Sequence, residues 1–416
     1  MQQRVKLQSD SARPAARRGQ KTALLFGAGY TALALIPHLR ARGYHIAATV
    51  RRVEKGAALE KAGIEALPFG PAAPPSALKA VLRVLKRAEI VLSSAGPDSK
   101  TPETDPILAA LLGGGRRNFA SMAPKLRWAG YLSATSVYGD RGGQWAFEDE
   151  RLYPKTARGR ARVEAELAWL ETGWPVHVFR LAGIYGPQLR AGGYTAARNP
   201  LSRIKSGAAR LVIKQGHIVN RIHVMDIAPA LLASMDNPNP ARIYNLADGQ
   251  PAPPQDVLCY GARLLGQAAP PPIAPDDPAL SPMARSFYLE SKRVDISRAR
   301  AELGFEPAFA GYRKGLLSLM QSGAAGEMWL AGHIDVPEKH LALTLKLLPD
   351  HIKASRAEAG CLHFDAVQDI DNPTRLHVVE AFRSVKDFDA HQLRAQSSPW
   401  FNAARFFTRD YVTSGV

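Results

Sequence analysis

The chain has 416 residues, 46% of them hydrophobic, and 54 Lys and Arg against 37 Asp and Glu give a formal net charge of +17. That length calls for two or three domains, the apolar fraction suits a globular protein, and no apolar run approaches the roughly 20 residues of a membrane helix. Cys259 and Cys361 exclude a disulfide framework and fit a reducing, cytoplasmic setting, while the scattered basic residues lack the aromatic-basic module of a nucleic-acid partner.

The first 20 residues carry Arg4, Lys6, Arg13, Arg17 and Arg18 with one acid, Asp10, and read as a disordered basic tail without a secretory core. Thr22–Arg52 then reads strand, glycine turn, helix, strand. Gly27-Ala-Gly29-Tyr30-Thr-Ala32 fits G-x-G-x-x-[G/A]. Gly27 permits the tight turn, Gly29 lets backbone approach a pyrophosphate, and Ala32 lets the helix pack closely. The helix start offers free N–H groups to phosphate, so Gly27, Gly29, Tyr30 and Ala32 are expected cofactor contacts. After the second strand, Arg51-Arg52 stand where an acid would hold a ribose 2′-hydroxyl. Arginine suits a 2′-phosphate and leans the reading from NAD to NADP, although arginine is also ordinary at a solvated surface.

Strand-like Glu65–Phe69 and Glu89–Ala95 flank a helical pattern at Ser76–Arg87, which predicts a doubly wound parallel α/β sheet. Ser93, Ser94 and Ala95 close the later strand, small enough to admit a cofactor at its carboxyl end. Helix-like Pro106–Leu112 and the loop Gly113-Gly114-Gly115 follow.

Further on stand Tyr131-Leu-Ser-Ala-Thr-Ser-Val-Tyr138-Gly139-Asp140, Phe179-Arg-Leu-Ala-Gly-Ile-Tyr185-Gly186-Pro187, Asn220-Arg-Ile-His223-Val-Met-Asp226-Ile-Ala228 and Arg242-Ile-Tyr-Asn245-Leu-Ala-Asp248. With the glycine turn, this series resembles the extended short-chain dehydrogenase/reductase family of epimerases and dehydratases, over about Lys21 to Gln321. Ser281-Pro-Met-Ala-Arg-Ser-Phe287 resembles an element of an atypical bacterial branch. The resemblance implies a Rossmann domain with a small substrate cap, and a catalytic Tyr-x-x-x-Lys pair with a Ser or Thr. Here those positions fall at Arg158, Arg162 and Ala134. Arginine does not exchange protons near neutral pH, so Ser133, Thr135, Tyr153 and Lys155 are the nearby groups able to substitute. Arg158, Arg160 and Arg162 suit an anionic ligand; Glu164 and Glu166 are their alternative partners at a solvated helix start. Arg221 and His223 match the family element that borders the substrate cleft.

The Pro-rich run Pro251–Pro282 belongs to the cap, and the first unit closes at Tyr312–Leu316. We divide the chain into a tail (1–20), a reductase/epimerase-like domain with cap (21–321), a small-residue linker (322–328) and a C-terminal domain (329–416). The last reads strand Trp329–Val336, helix Pro337–Ala357, strands Cys361–Gln368 and Arg375–Arg383, helix Val385–Ala395 and strand Ala404–Val412. That order is a ferredoxin-like βαββαβ. Glu358-Ala-Gly360-Cys361-Leu, Val379-Glu380-Ala-Phe382, Asp389-Ala-His391 and Ser398-Pro-Trp-Phe401 resemble the antibiotic biosynthesis monooxygenase family. The resemblance implies a dimeric α/β barrel that oxidises quinols or polycyclic aromatics without metal or flavin, with His391 near the pocket and Phe382 where tryptophan is common.

Strand alternation puts Leu330, Ile334, Val336, Leu362, Phe364, Ala366, Leu376, Val378 and Phe382 on one apolar face. Glu380 shares their parity, so this carboxylate must be paired, protonated or beside a ligand. Trp329, His333, His363 and His377 fall opposite and read as a polar dimer interface, since their spacing fits no metal motif. The composite expectation is an NAD(P)-dependent oxidoreductase/epimerase-like homodimer with a cofactor-independent monooxygenase-like domain, acting on a quinone or other small aromatic metabolite. Its alternative is a catalytically silent NADP-binding sensor or scaffold. Expected catalytic residues are Thr135, Tyr153, Arg158, Arg162, Glu380 and His391.

Overall fold

The computed structural model describes residues 19–70, 75–97, 105–113, 118–192, 194–320, 328–369 and 372–414. The tail to residue 18, the linker before Met328, most of the glycine loop at 113–115 and the side chains of Trp329 and His363 lie outside the described residues.

Seven strands form the main sheet: β1 (Thr22–Phe26), β2 (His45–Val50), β3 (Glu65–Pro68), β4 (Ala88–Ser93), β5 (Trp128–Ala134), β6 (Val176–Leu181) and β7 (Ile243–Leu246). All pairs are parallel, in the spatial order β7-β6-β5-β4-β1-β2-β3. Side chains alternate, so Ala23 and Leu25 enter one apolar layer while Leu24 and Phe26 enter the other. Helices cover both faces, which is why β1 is buried along its whole length. Chain order reverses between β1 and β4, opening a crevice beyond their carboxyl ends.

After β6 the chain builds a cap. Strand Gly183–Ala191 pairs with Tyr194–Arg198 and Arg221–His223. Helices Pro200–Lys205, Pro254–Leu264 and Gly311–Met320 enclose Leu201, Val257 and Leu316 in their own apolar cluster.

The C-terminal unit is a four-stranded antiparallel sheet in the order Cys361–Gln368, Arg375–Phe382, Met328–Asp335, Thr408–Ser414. Helix Glu338–Arg356 and the short helix Pro399–Ala404 bury Leu348, Trp400 and Ala404 against Leu330, Leu376 and Val378. Pro399–Ala404 was not expected. Ser398 caps it by accepting from Phe401 N–H at 3.1 Å, and Pro399 opens its first turn, so the last strand starts four residues later, at Thr408.

Two side-chain expectations for this sheet need correction. A register irregularity between Cys361 and His363 breaks the alternation there, and Leu362 is 49% exposed instead of joining the apolar face. The opposite face meets the cap of the same chain. Ala381 joins the cap's apolar cluster, and the His377 ring packs edge-on to Tyr260 at 6.4 Å. His377 Nε2 lies 2.6 Å from Asp369, and His333 lies 3.6 Å from Asp335 and 3.9 Å from Asp410. This face is covered within the chain.

Candidate functional site

The glycine turn sits at the carboxyl end of β1. Gly27 has φ +89°, a conformation only glycine adopts without strain, and a Cβ there would lie 3.2 Å from Ser94 Oγ. Its N–H donates to Thr49 Oγ1 at 2.9 Å, and Ser94 Oγ donates to its carbonyl at 2.7 Å. Residues from β2 and from the end of β4 thus clamp the turn on both sides. Gly29 caps the helix Tyr30–Ala41 with no side-chain hydrogen bond, which leaves the first-turn N–H groups to an anion. Tyr30 lines the cleft, but its hydroxyl is donated to the Pro187 carbonyl at 2.7 Å. Ser93 is fully buried and Ser94 half-buried, with Ala95 beside them. Arg51 and Arg52 follow β2, both exposed and without an ion pair to a described residue.

A cleft of about 1020 Å³ opens from this turn along the ends of β5 and β6. Helix Ala157–Leu170 enters its wall. Thr156 caps that helix, accepting from Gly159 N–H at 3.0 Å. Arg158 and Arg162, four residues apart and so on one helix face, both line the cleft, as does Thr135. Arg162 Nη1 donates to the Leu132 carbonyl at 2.6 Å and to Tyr131 Oη at 3.4 Å. Arg158 is exposed and rests against Met283 and the Phe287 ring, 5.9 Å from its centroid.

The other nearby candidates are placed differently. Ser133 lines the cleft but is buried there and donates its hydroxyl to Glu166. Glu166 pairs with Arg180 at 2.8 Å, leaving it no free oxygen for Arg158 or Arg162, and Glu164 is exposed. Tyr153 lies outside the cleft, 49% exposed, with Arg151 and Arg141 over its ring at 5.0 and 5.8 Å. Lys155 is exposed and also outside the lining. Tyr138 is buried, donating to Asn245 at 2.7 Å and accepting from Arg180 at 3.0 Å; burial pushes its pKa up to about 12.

A second cavity, about 620 Å³, lies in the cap and shares Ser281, Met283 and Phe287 with the cleft. The Ser281–Phe287 element is the partition between them. Arg221 lines this second cavity, held by bonds to the Val219 and Ala252 carbonyls at 3.2 Å. Nearby Asp248 is buried, and desolvation pushes its carboxyl up to about 7. His223 lines neither cavity. It caps helix Val224–Asp236 through Met225 N–H at 3.4 Å and packs on Phe309 at 3.9 Å, and burial pulls it down to about 4, leaving it neutral.

Residues 290–294 were missed by motif reading. Glu290 and Lys292 both line the cleft and pair at 2.8 Å. The signal that brings them there is tertiary: Arg293–Val294 pairs with Trp145–Ala146, far away in sequence.

In the C-terminal unit, Glu380 is buried on the apolar face, opposite Leu330 and Phe364. His391 Nε2 lies 3.6 Å from its Oε2, which has no hydrogen bond. His391 Nδ1 lies 2.9 Å from Glu358, and Arg394 donates to Glu358 at 2.6 Å and to Ser355 at 2.7 Å. Burial, reinforced by Glu358, pushes Glu380 up to about 8. Phe382 and Phe364 enclose His391 at 4.7 and 5.3 Å, and His351 stacks on Trp400 at 4.5 Å.

Comparison with known proteins matches two families to separate stretches of the chain. The profile of the NAD dependent epimerase/dehydratase family matches residues 23–247, and that of antibiotic biosynthesis monooxygenase matches residues 330–402. Protein YeeZ of Escherichia coli strain K12 is 33% identical over 183 residues, 42% of this chain and 56% of that protein, so the match spans little more than half of this relative. A functionally unknown conserved protein from Silicibacter pomeroyi DSS, known by its structure, is 44% identical with a TM-score of 0.63, covering 72% of this chain and 98% of that one. The UDP-glucuronic acid 4-epimerase of Bacillus cereus, solved with NAD, shares the fold at 16% identity and a TM-score of 0.55, over 72% of this chain and 96% of that one.

Proposed function

The chain belongs to the NAD dependent epimerase/dehydratase family, and from that premise we propose that it is an NADP-dependent oxidoreductase acting on a quinone or another small aromatic metabolite. Residues 21–321 form the catalytic unit in this reading, and residues 329–416 an appended monooxygenase-like module through which two copies assemble. The observation that carries the reading is the uncapped helix start at Gly29, opening into a cleft large enough for a dinucleotide and lined by Arg158 and Arg162.

The residues present fit such a cofactor. The first turn of helix Tyr30–Ala41 would take the pyrophosphate, with Gly27 clamped so that backbone reaches it. Arg51 and Arg52 would take the 2′-phosphate. A bound nicotinamide would give or accept the hydride. Thr135 and the two cleft arginines would orient the oxygen of the reacting group, the arginines by charge-assisted hydrogen bonds worth about 1.5–3 kcal/mol each. The partition at Met283 and Phe287, 55% and 61% exposed, offers apolar surface to an aromatic ring.

In the C-terminal module, Glu380 and His391 sit among aromatic rings and form the acid-base pair for oxidising a quinol with oxygen, without metal or flavin. Leu393 and Phe406, 71% and 85% exposed, support self-association there.

Titration with NADPH and NADH tests the cofactor reading. Wild type binds NADPH more tightly, and Arg51→Ala weakens NADPH about 10-fold more than NADH, the size of one charge-assisted bond. Equal loss for both removes the NADP assignment. A second reading is a silent cofactor sensor, favoured by arginine at the positions of the family's proton-transferring tyrosine and of the lysine that lowers its pKa. Tight NADPH binding with neither quinone reduction nor oxygen uptake would select it.

A further inference from the structure

The cofactor reading leaves the proton without a carrier, because Arg158 and Arg162 hold theirs near neutrality. The side chains lining the cleft narrow the choice. Apart from hydroxyls, amides and apolar groups, they comprise Tyr30, three arginines (Arg158, Arg162, Arg198), Glu290 and Lys292. Tyr30 donates its hydroxyl to Pro187, and burial raises its pKa, so it keeps its proton. Glu290 and Lys292 remain.

Their setting is built. Lys292 Nζ lies 2.8 Å from Glu290 Oε2, and the two side chains are 8% and 10% exposed. Glu290 Oε1 is buried and has no hydrogen bond. The backbone beneath is clamped on three sides. Asn220 donates to the Lys292 carbonyl at 2.9 Å and accepts from Val294 N–H at 2.8 Å. Ser291 N–H donates to Asp140 at 2.8 Å, and Arg293 N–H donates to the Gln144 carbonyl at 2.9 Å. A buried lysine, unlike arginine, can release and regain a proton.

We propose that Lys292 is the proton donor and acceptor of this cleft, with Glu290 as the carboxylate that positions and recharges it. The inference rests on the cofactor reading above. For a quinone, a hydride adds to one carbonyl carbon as the C=O π pair takes a proton from Lys292 Nζ. The N–H bond breaks and an O–H bond forms, giving the hydroxyketone tautomer of the quinol. The nicotinamide cofactor is oxidised, the quinone is reduced, and the neutral amine regains a proton from water through Glu290. Reversal oxidises an alcohol. Asp140 and His217 interact electrostatically with Lys292, Lys214 acts on both of them, and Arg158, Arg162 and Arg198 line the same cleft. Neither nitrogen of the buried His217 is hydrogen-bonded, but it lines neither cavity.

The test uses the full chain, NADPH and phenanthrenequinone as the probe. NADPH binding is read by fluorescence, and lysine accessibility by reductive methylation followed by peptide mass spectrometry. The expected results are that NADPH shields Lys292 from methylation and that Lys292→Met binds NADPH within about 3-fold of wild type while kcat falls about 100-fold or more. Lys292→Arg does not restore it, His217→Asn keeps the wild-type pH profile, and Glu290→Gln lowers kcat about 10-fold and displaces the profile. Absence of NADPH binding in wild type refutes the cofactor reading itself. NADPH binding that leaves Lys292 methylation unchanged overturns the proposal alone, as does Lys292→Met with wild-type kcat. Wild type that binds NADPH and shields Lys292 yet never reduces the quinone also overturns it, with the cofactor reading intact.

Discussion

Two buried carboxylates in this chain, one in each unit, meet the same problem with different partners. Glu166 lies beneath the cleft and receives the Arg180 Nε–H, shared between its two oxygens at 3.2 Å, an N–H of Nη2 at 2.8 Å, and the Ser133 hydroxyl. Arg180 is further bound to Tyr138 and to the Glu148 carbonyl, both at 3.0 Å. Glu380 lies in the C-terminal core with His391 at 3.6 Å and one oxygen unpaired. Arg394 would be a suitable cation, but it is spent on Glu358 and Ser355. A saturated network fixes geometry, so Glu166 belongs to the floor on which the cleft stands. An unsaturated buried carboxyl keeps its proton near neutrality, which suits proton exchange with a ligand.

The largest effect should come from breaking the saturated network at its centre. Arg180→Met leaves Glu166 buried without its cation and frees Tyr138 and Glu148 from a shared donor. Loss of one partner of a buried pair costs about 3–5 kcal/mol. Denaturant unfolding followed by tryptophan fluorescence should show that loss, Trp169 being fully buried on the same helix. A loss below about 1 kcal/mol would mean that the pair is not structural. Double replacement with Glu166→Leu should recover part of the stability, because no unpaired charge then remains.

The Glu380 half of this contrast was readable in the sequence, the Glu166 half was not, and the unreadable part has a physical cause. Parity alone puts Glu380 among Leu376, Val378 and Phe382, since strands alternate strictly. Which helix residue faces it depends on the rotation of Val385–Gln396, and that rotation sends His391 inward and Arg394 toward Glu358. The glycine turn was legible because its chemistry is local: a positive φ and a helix start need consecutive residues. Glu290 and Lys292 were illegible because a two-residue strand pair and one asparagine bring them to the cleft. Leu362 escaped its face through a register irregularity that alternation does not announce. Arg158 and Arg162 were readable as replacements, and the structure adds that Glu166 is not their counter-ion.

A smaller effect, with a pH signature, is expected at Glu380. Its folded pKa is raised to about 8 from an ordinary carboxyl value of 4.5. Between those values the folded chain holds a proton that the unfolded chain has released, so stability falls as pH rises from about 4.5 to 8. Glu380→Gln removes that slope. At pH 8 the variant should be more stable than wild type by about 1–3 kcal/mol, with the difference closing toward pH 5. His351, pulled down to about 4 by burial, works in the other direction below its ordinary value of 6.5, where stability falls as pH falls. Asp248, pushed up to about 7, adds a slope of its own below that pH, so it is the difference between variant and wild type from pH 7 to 8 that isolates the glutamate. A pH-independent difference between variant and wild type would show that Glu380 is ionised and paired like Glu166.

The smallest effect sharpens the comparison from the saturated side. Ser133→Ala removes one of the bonds to Glu166 and leaves the Arg180 fork in place. A hydrogen bond to a charged group, lost while its acceptor keeps other donors, costs about 1–1.5 kcal/mol. The melting temperature should fall by a few degrees at most. NADPH affinity and quinone turnover should stay within about 2-fold of wild type, a difference below 0.5 kcal/mol. The same substitution tests whether a hydroxyl near Ala134 replaces the family's missing serine. Both Ser133 and Thr135 line the cleft, but Ser133 spends its hydroxyl on Glu166. A large loss of turnover in Ser133→Ala at unchanged stability would move Ser133 from the floor into the chemistry, and the two carboxylates would then differ in degree only.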